Sequence, residues 1–482
     1  MVIALDVGTS SARASLYDGR GKPLRGRFHQ VTYRPRVTAD GGVEHDPTVL
    51  LDAVIACLDA VTSRRRRRPV DVRAVGVTTF WHGLLGFADN GRPVTPVYTW
   101  ADSRAAGEAA RLRASADEDR LHARTGCHFH ASYWPAKLAW LARTQPALVH
   151  RVARWGSFGE HLELTLFGEA ATSVSMASGT GLFDIAACAW DAESLELADV
   201  AGERLFPVVD RGEGRHGVRA PWAARWPALR DVPWYPAVGD GAASNVGAGC
   251  VAPDRIALNL GTSAALRMVP PDAAPPPRGL WRYSIDRKTP LLGGATSEGG
   301  NVLAWCRDVL RLPNDAALER ALVAKAADGH GLTVLPFLAG ERAPGWRADK
   351  RAVIAGLSLD TNALDIVHAA LEAVALRLAL VYRRLRACAP REHVIVASGG
   401  AIARSPAWTR MLADVLGHAI ARSSEPEATS RGAALLALQS LGVLPDLARA
   451  AGPVTESVAP DPARHARYAR ALERQIALDD KV

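Results

Sequence analysis

The chain has 482 residues, too many for one hydrophobic core and enough for two domains. Hydrophobic residues make up 48% and charged residues 22%, an ordinary globular balance, and Lys+Arg at 58 against Asp+Glu at 50 leaves a net charge of +8 and a pI of about 9.4, which suits anionic small molecules. No apolar run is long enough to span a membrane, and the six cysteines form no CxxC pair, so they read as reduced thiols of a cytoplasmic protein rather than a metal or disulfide framework.

Met1 leads straight into VIALDV, with no basic leader or cleavage site before it. Gly-Thr-Ser follows, then a second apolar run, ASLYD, after Arg13. Two such runs about a glycine turn predict a β-hairpin. Arg64–Arg68 is the one dense basic run. It sits between a helix-like and a strand-like segment, where a solvated loop is the plainer role and nucleic-acid contact the sharper one. In VGDGAASN, Asp240 ends an apolar segment and precedes small residues that start a helix. It could cap that helix or act as a general base, and one carboxylate can do both.

At Ile256 the opening returns. IALDVGTSSA begins at Ile3 and IALNLGTSAA at Ile256. The repeat predicts two related halves, 1–246 and 247–482, each headed by a hairpin whose turn offers N–H groups and hydroxyls to a phosphate. The halves are expected to face each other across a cleft and grip one polyphosphate. The change from Asp6 to Asn259 fits this arrangement. Asp6 can hold Mg²⁺ near the phosphates, whereas a second carboxylate would repel them; Asn259 keeps the shape without the charge. Leu371, Val374, Leu378, Val381 and Leu385 recur at helical spacing and predict a core-facing helix. VIVASGG (Val394–Gly400) reads as a strand entering a glycine turn. Ser405-Pro406 then caps a helix carrying Trp408, Met411, Leu412 and Val415 that stops at Gly417. A strand, a double glycine and a helix N-terminus form an anion-binding arrangement, here for the nucleotide's inner phosphates and adenosine.

Taken together these motifs resemble the FGGY carbohydrate kinases over nearly the whole chain, from about Val2 to about Leu441. DVGTSSAR (Asp6–Arg13) resembles the family's first phosphate loop, and WHG (Trp81–Gly83) and YTWADSRA (Tyr98–Ala105) its sugar-side segments. GDGAASNVGAG (Gly239–Gly249) resembles the catalytic Asp-Gly segment. NLGTSA, GGATSEGGNVLAW, LPFLAGERAP and ASGGAIARSPAW follow in the family's order. TWADSRA, TGCHFHASYWPAKLAWL, SMASGTGLFD and LAGERAPGW are most similar to bacterial gluconate kinases. Three positions depart from those kinases: His82-Gly83 where His-Ser is frequent, Trp81 in place of Met, and Glu298 where an amide is usual.

The resemblance implies an α/β fold of two actin-like, ribonuclease H-like domains with a cleft between them. It implies ATP and Mg²⁺ as cofactors and Asp240 as the base that deprotonates the sugar hydroxyl. Thr9, Ser10, Ser11, Arg13, Thr262, Gly300, Gly400 and Arg404 match the ATP side, though some members carry Asn where Arg404 stands. His82, Trp81, Trp100, Asp102 and Tyr133 are the sugar-side candidates, with Trp100 as an apolar platform and Asp102 as an acceptor. The plainer roles are core packing for Trp100 and Tyr133 and an ion pair with Arg104 for Asp102. The expected partner is a small sugar or sugar acid, most of all gluconate; a ketopentose such as xylulose is the alternative favoured by His82-Gly83. An actin-like ATPase without a sugar pocket and a scaffold using Arg64–Arg68 are the other classes. No nucleic acid or membrane partner is expected, and a homodimer is possible.

Overall fold

The computed structural model describes residues 1–63, 71–272, 274–450, 452 and 454–482. The Arg64–Arg68 run lies outside the described residues. The N-terminal hairpin forms as expected: Val2–Val7 pairs antiparallel with Ser11–Tyr17, and Asp6 stands opposite Arg13. It sits in a five-stranded sheet ordered Val238–Gly239, Ala74–Thr79, Val2–Val7, Ser11–Tyr17, Pro23–Thr32. The hairpin side is antiparallel and the other side parallel. The second half repeats this plan. Arg255–Leu260 pairs antiparallel with Ala264–Met268 and parallel with Val394–Ser398, inside a seven-stranded sheet. The sequence repeat is therefore a fold repeat.

The two hairpins differ in register. Val7 faces Ala12 across Gly8–Ser11, while Leu260 faces Ala264 across the shorter Gly261–Ser263. Asn259 consequently faces Ala265, and no arginine stands opposite it.

The predicted core helix runs from Ala363 to Arg386. Asn362 and Asp365 form a capping box, and Arg383, Arg384 and Arg386 sit in the last turn, where the helix dipole favours cations. Its five predicted core residues are fully buried, each contributing about 1.5–3 kcal/mol of transfer free energy. Helix Pro406–Leu416 also follows the sequence, with Ser405 accepting from Trp408 N–H and Gly417 closing the end in the left-handed region.

One helix joins the halves. Ala428–Ser440 belongs to the second half in sequence but packs on the first sheet, where Ala433, Ala434, Ala437 and Leu438 meet Val2, Ala4 and Ala74. It crosses helix Asp240–Gly247 at bare backbone. A methyl group at Gly247 would collide with the Ala428 carbonyl, and one at Gly432 with the Ala243 carbonyl. Among the described residues no helix is long and apolar enough to cross a membrane.

Candidate active site

The carboxyl ends of the first sheet's strands open on a cleft lined by residues of both halves. Trp81 and His82 follow strand Ala74–Thr79, and Asp240 follows Val238–Gly239. Asp240 is the first residue of its helix, and the cap position is Gly239, so the capping role expected for its side chain is not the one it takes. The carboxylate instead accepts from Gly241 N–H at 2.8 Å. Trp81 explains the glycines on either side: a methyl group at Gly239 or Gly241 would strike its indole. Desolvation raises the Asp240 pKa, and the nearby Arg267 charge partly opposes this.

His82 sits beside it with φ at 66°, buried, and with its ring fixed by two contacts. Nε2 faces Arg342 Nη2 at 3.4 Å and Nδ1 faces the Gly179 carbonyl at 2.5 Å. A guanidinium only donates, so Nε2 accepts and Nδ1 carries the proton. Burial first, then the Arg342 charge, pushes the His82 pKa well down, and the ring is neutral. Lys137, buried and pushed down to about 7 by desolvation, donates to the carbonyls of His82 and Ser132 and holds this turn. Trp100 lies 5.1 Å beneath the Arg342 guanidinium and donates from Nε1 to Thr9 Oγ1 at 3.2 Å, linking the cleft to the first Gly-Thr-Ser turn.

Two expected sugar contacts stand behind the cleft. The Tyr133 hydroxyl is 2.6 Å from that of Tyr283, and its ring packs edge-on against His82. The Asp102 carboxylate is committed to Arg104, so the ion pair, not the free acceptor, is what the structure contains. Glu298 also stands off the cleft lining, accepting from Ala339 N–H at 3.2 Å; burial pushes its pKa up to about 8, so at neutral pH it is protonated and resembles the amide it replaces.

The cleft also holds residues that the sequence reading passed over. Arg267 Nε and Nη1, Arg342 Nε and Trp281 Nε1 are buried without a hydrogen-bond partner, and all three residues line the space that Asp240 faces. Tyr283 stacks on Trp281 at 4.0 Å and closes the wall. The usable signal for Arg267 was its place in ALRMV, a charge inside an otherwise apolar strand; Arg342 lay within the quoted LAGERAP.

On the side expected to take the nucleotide, the second turn gathers two helix starts. Gly300 N–H donates to the Gly261 carbonyl at 2.8 Å, and Asn301 N–H to that of Thr262 at 3.1 Å. Gly399, at φ 102°, passes so close to Leu260 that a methyl group there would sit 2.6 Å from its carbonyl oxygen. Thr262, Gly300 and Gly400 are thus brought together at the starts of Gly300–Val309 and Gly400–Arg404. Arg404 is exposed at the end of the latter. Ser10 is exposed on the first turn, beside Thr9 and the buried Ser11. Asn259 donates to Ser398 Oγ at 3.3 Å and lines the cleft. Asp6 is buried between Arg13 Nη1, at 3.1 Å, and Ser430 Oγ, at 3.3 Å; Arg13 Nε also reaches Glu427, at 3.5 Å. Desolvation raises the Asp6 pKa to about 6, with a further push from Asp240.

A second cluster, His330, His368 and Glu372, has its ligand atoms within 4.8 Å of one another. Leu332 N–H occupies His330 Nδ1, so Nε2 holds the proton and donates it to Glu372 at 2.8 Å. That nitrogen has no lone pair to offer a cation, and the cluster is a hydrogen-bonded dyad rather than a metal centre.

This duplicated sheet plan, with an acid at the cleft between the halves, defines a two-domain sugar kinase fold. Residues 1–247 match the N-terminal domain of the FGGY family of carbohydrate kinases and residues 256–441 its C-terminal domain; the chain belongs to that family, whose members are ATP-dependent phosphotransferases acting on small molecules. It is 26% identical to the gluconokinase of Bacillus subtilis over 454 residues, 92% of this chain and 88% of that one. To the glycerol kinase of Aromatoleum aromaticum it is 33% identical over 457 residues, 92% of this chain and 90% of that one. Among solved structures, a gluconate kinase from Lactobacillus acidophilus superimposes with a TM-score of 0.90 at 24% identity, covering 100% of this chain and 97% of that one. A xylulose kinase from the same organism gives 0.91 at 24%, covering 100% and 98%.

Proposed function

We propose that this kinase phosphorylates a sugar acid, gluconate foremost, to 6-phosphogluconate, using ATP and Mg²⁺. The observation that carries this reading is the set of unpartnered donors on Arg267, Arg342 and Trp281 in a cleft that also holds Asp240. Buried guanidinium groups without a full set of acceptors are costly, and a substrate carboxylate would supply acceptors in the geometry that arginine prefers. A neutral polyol would leave the cationic wall under-compensated. The similarity to gluconokinases points the same way.

Asp240 takes the proton of the attacking hydroxyl as its oxygen bonds to the γ-phosphorus, and the bond to the bridging oxygen of ADP breaks. Neutral His82 steadies the Arg342 guanidinium through Nε2, and Trp100 supplies a flat face. The fit to Mg²⁺ rests on the donor set: Asp6 is a buried carboxylate with Asp240 nearby, and Arg13 offsets only part of its desolvation. Asp6, Asp240 and Ser430 are hard oxygen donors of the kind Mg²⁺ takes directly or through water. When bound, Mg²⁺ would neutralise phosphate charge. A ketopentose remains the second reading: His82 is followed by Gly83, where a methyl group would come 2.8 Å from the Phe80 ring, so the serine frequent in gluconate kinases does not fit this turn unchanged.

The test is ADP release with gluconate, xylulose and glycerol, on wild type and Arg267→Met. Gluconate should give the highest kcat/KM, and Arg267→Met should lower it by about 10²-fold or more while changing the neutral substrates far less. A higher kcat/KM for xylulose or glycerol than for gluconate would overturn the sugar-acid reading.

A further inference from the structure

The matched family spans stop at residue 441, yet the end of helix Pro462–Asp479 packs against the segment that follows Arg342. Its last residue, Asp479, is buried, and its Oδ2 accepts from Arg347 Nη2 at 2.6 Å and from Arg377 Nη1 at 3.1 Å. Lys350 Nζ lies 3.4 Å from its other oxygen. The same two arginines hold Glu341: Arg377 Nη2 donates to Oε1, and Arg347 Nε to Oε2 at 2.8 Å. Glu341 is 1% exposed and immediately precedes Arg342, the guanidinium over Trp100. Gly345 N–H closes the turn onto the Glu341 carboxylate at 3.1 Å, and His130 Nε2 donates to the Glu341 carbonyl at 3.1 Å.

We infer that Asp479, with Arg377 and Glu341, is a positioning residue for Arg342: the C-terminal helix sets where the substrate-facing guanidinium stands. The ion pairing supports this. Glu341 and Asp479 share Arg347 and Arg377, with Lys350 as a third cation beside Asp479. Without Asp479, both arginines turn to Glu341 alone, and their pull is transmitted along one peptide unit to Arg342. None of these three residues lines the cleft, and they reach it through Arg342, so their effect should fall on sugar affinity and not on the Gly-Thr-Ser turns. The inference rests on the cleft being the sugar site proposed above.

The test compares Asp479→Asn, Asp479→Glu and, at a partly exposed position, Arg347→Ala in the full chain. Kinetic constants are measured with whichever sugar the wild type phosphorylates best, and amide hydrogen exchange is followed over residues 338–348. Asp479→Asn and Arg347→Ala should raise the sugar KM about tenfold, hold the ATP KM within about twofold, and speed exchange in 338–348; Asp479→Glu should recover most of the affinity. Folded variants with an unchanged sugar KM, or with sugar and ATP constants rising together, would overturn the inference. If the wild type phosphorylates no sugar, the functional reading fails, and exchange alone decides the positioning role: faster exchange confined to 338–348 sustains it, and unchanged exchange removes it.

Discussion

Asp240, the proposed base, stands near a second acid, Asp6, and a cation, Arg267. Its pKa is raised by burial, so its charged form costs stability. That cost is absent below the unfolded carboxylate pKa and grows as pH rises through the folded one. Asp240→Asn removes the cost and, because Gly239 holds the cap position, loses no cap. Its melting temperature should equal or exceed that of wild type, while turnover falls by at least about a hundredfold. In wild type, kcat/KM should drop as pH falls through the raised Asp240 pKa. A melt and a pH–rate profile on the same preparation check both, and a folded Asp240→Asn enzyme with near-native turnover would exclude it as the base. The DG pair was legible in the sequence. The reason for its glycines was not, because Trp81, whose indole needs that space, is brought there only by the fold.

The paired hairpins show where sequence reading succeeds and where it stops. Apolar runs about Gly-Thr-Ser pointed to the element type, since a short apolar run and a turn residue are local properties. Register is not local. The shorter second turn is held by N–H groups of Gly300 and Asn301, residues far along the chain, and it leaves Asn259 without the arginine that Asp6 has. Asp6 has Arg13 opposite it; a carboxylate at 259 would have only Ala265 there, and on the proposed reading would face the phosphates. Asn259→Asp should therefore weaken ATP binding by about tenfold or more. Calorimetric titration with ATP measures it, and unchanged affinity would refute the account of the one-letter difference. Asp102 illustrates the opposite limit. Its spacing from Arg104 allowed an ion pair or a sugar contact, and only tertiary packing decides between them.

At the scale of the molecule, the duplicated plan and the cleft between the halves were readable because a repeat in sequence is a repeat in fold. The cationic wall was not, because Arg267 and Arg342 come from separate segments and converge only after both sheets are built. Nucleotide and sugar together should draw the halves toward each other, as expected for a two-domain kinase whose phosphate turns lie on both sides. Small-angle scattering at saturating sugar and a non-hydrolysable nucleotude analogue should give a smaller radius of gyration than the free enzyme, and an identical profile would count against closure. The crossing helix Ala428–Ser440 carries a different consequence, for biosynthesis. It covers one face of the sheet that contains Val2, Ala4 and Ala74. A nascent chain emerging at about 5–20 residues per second exposes that apolar face for tens of seconds before its cover is made. The first half thus cannot finish folding when its own sequence is complete: it waits for a helix encoded near the other end, and the two domains become native together.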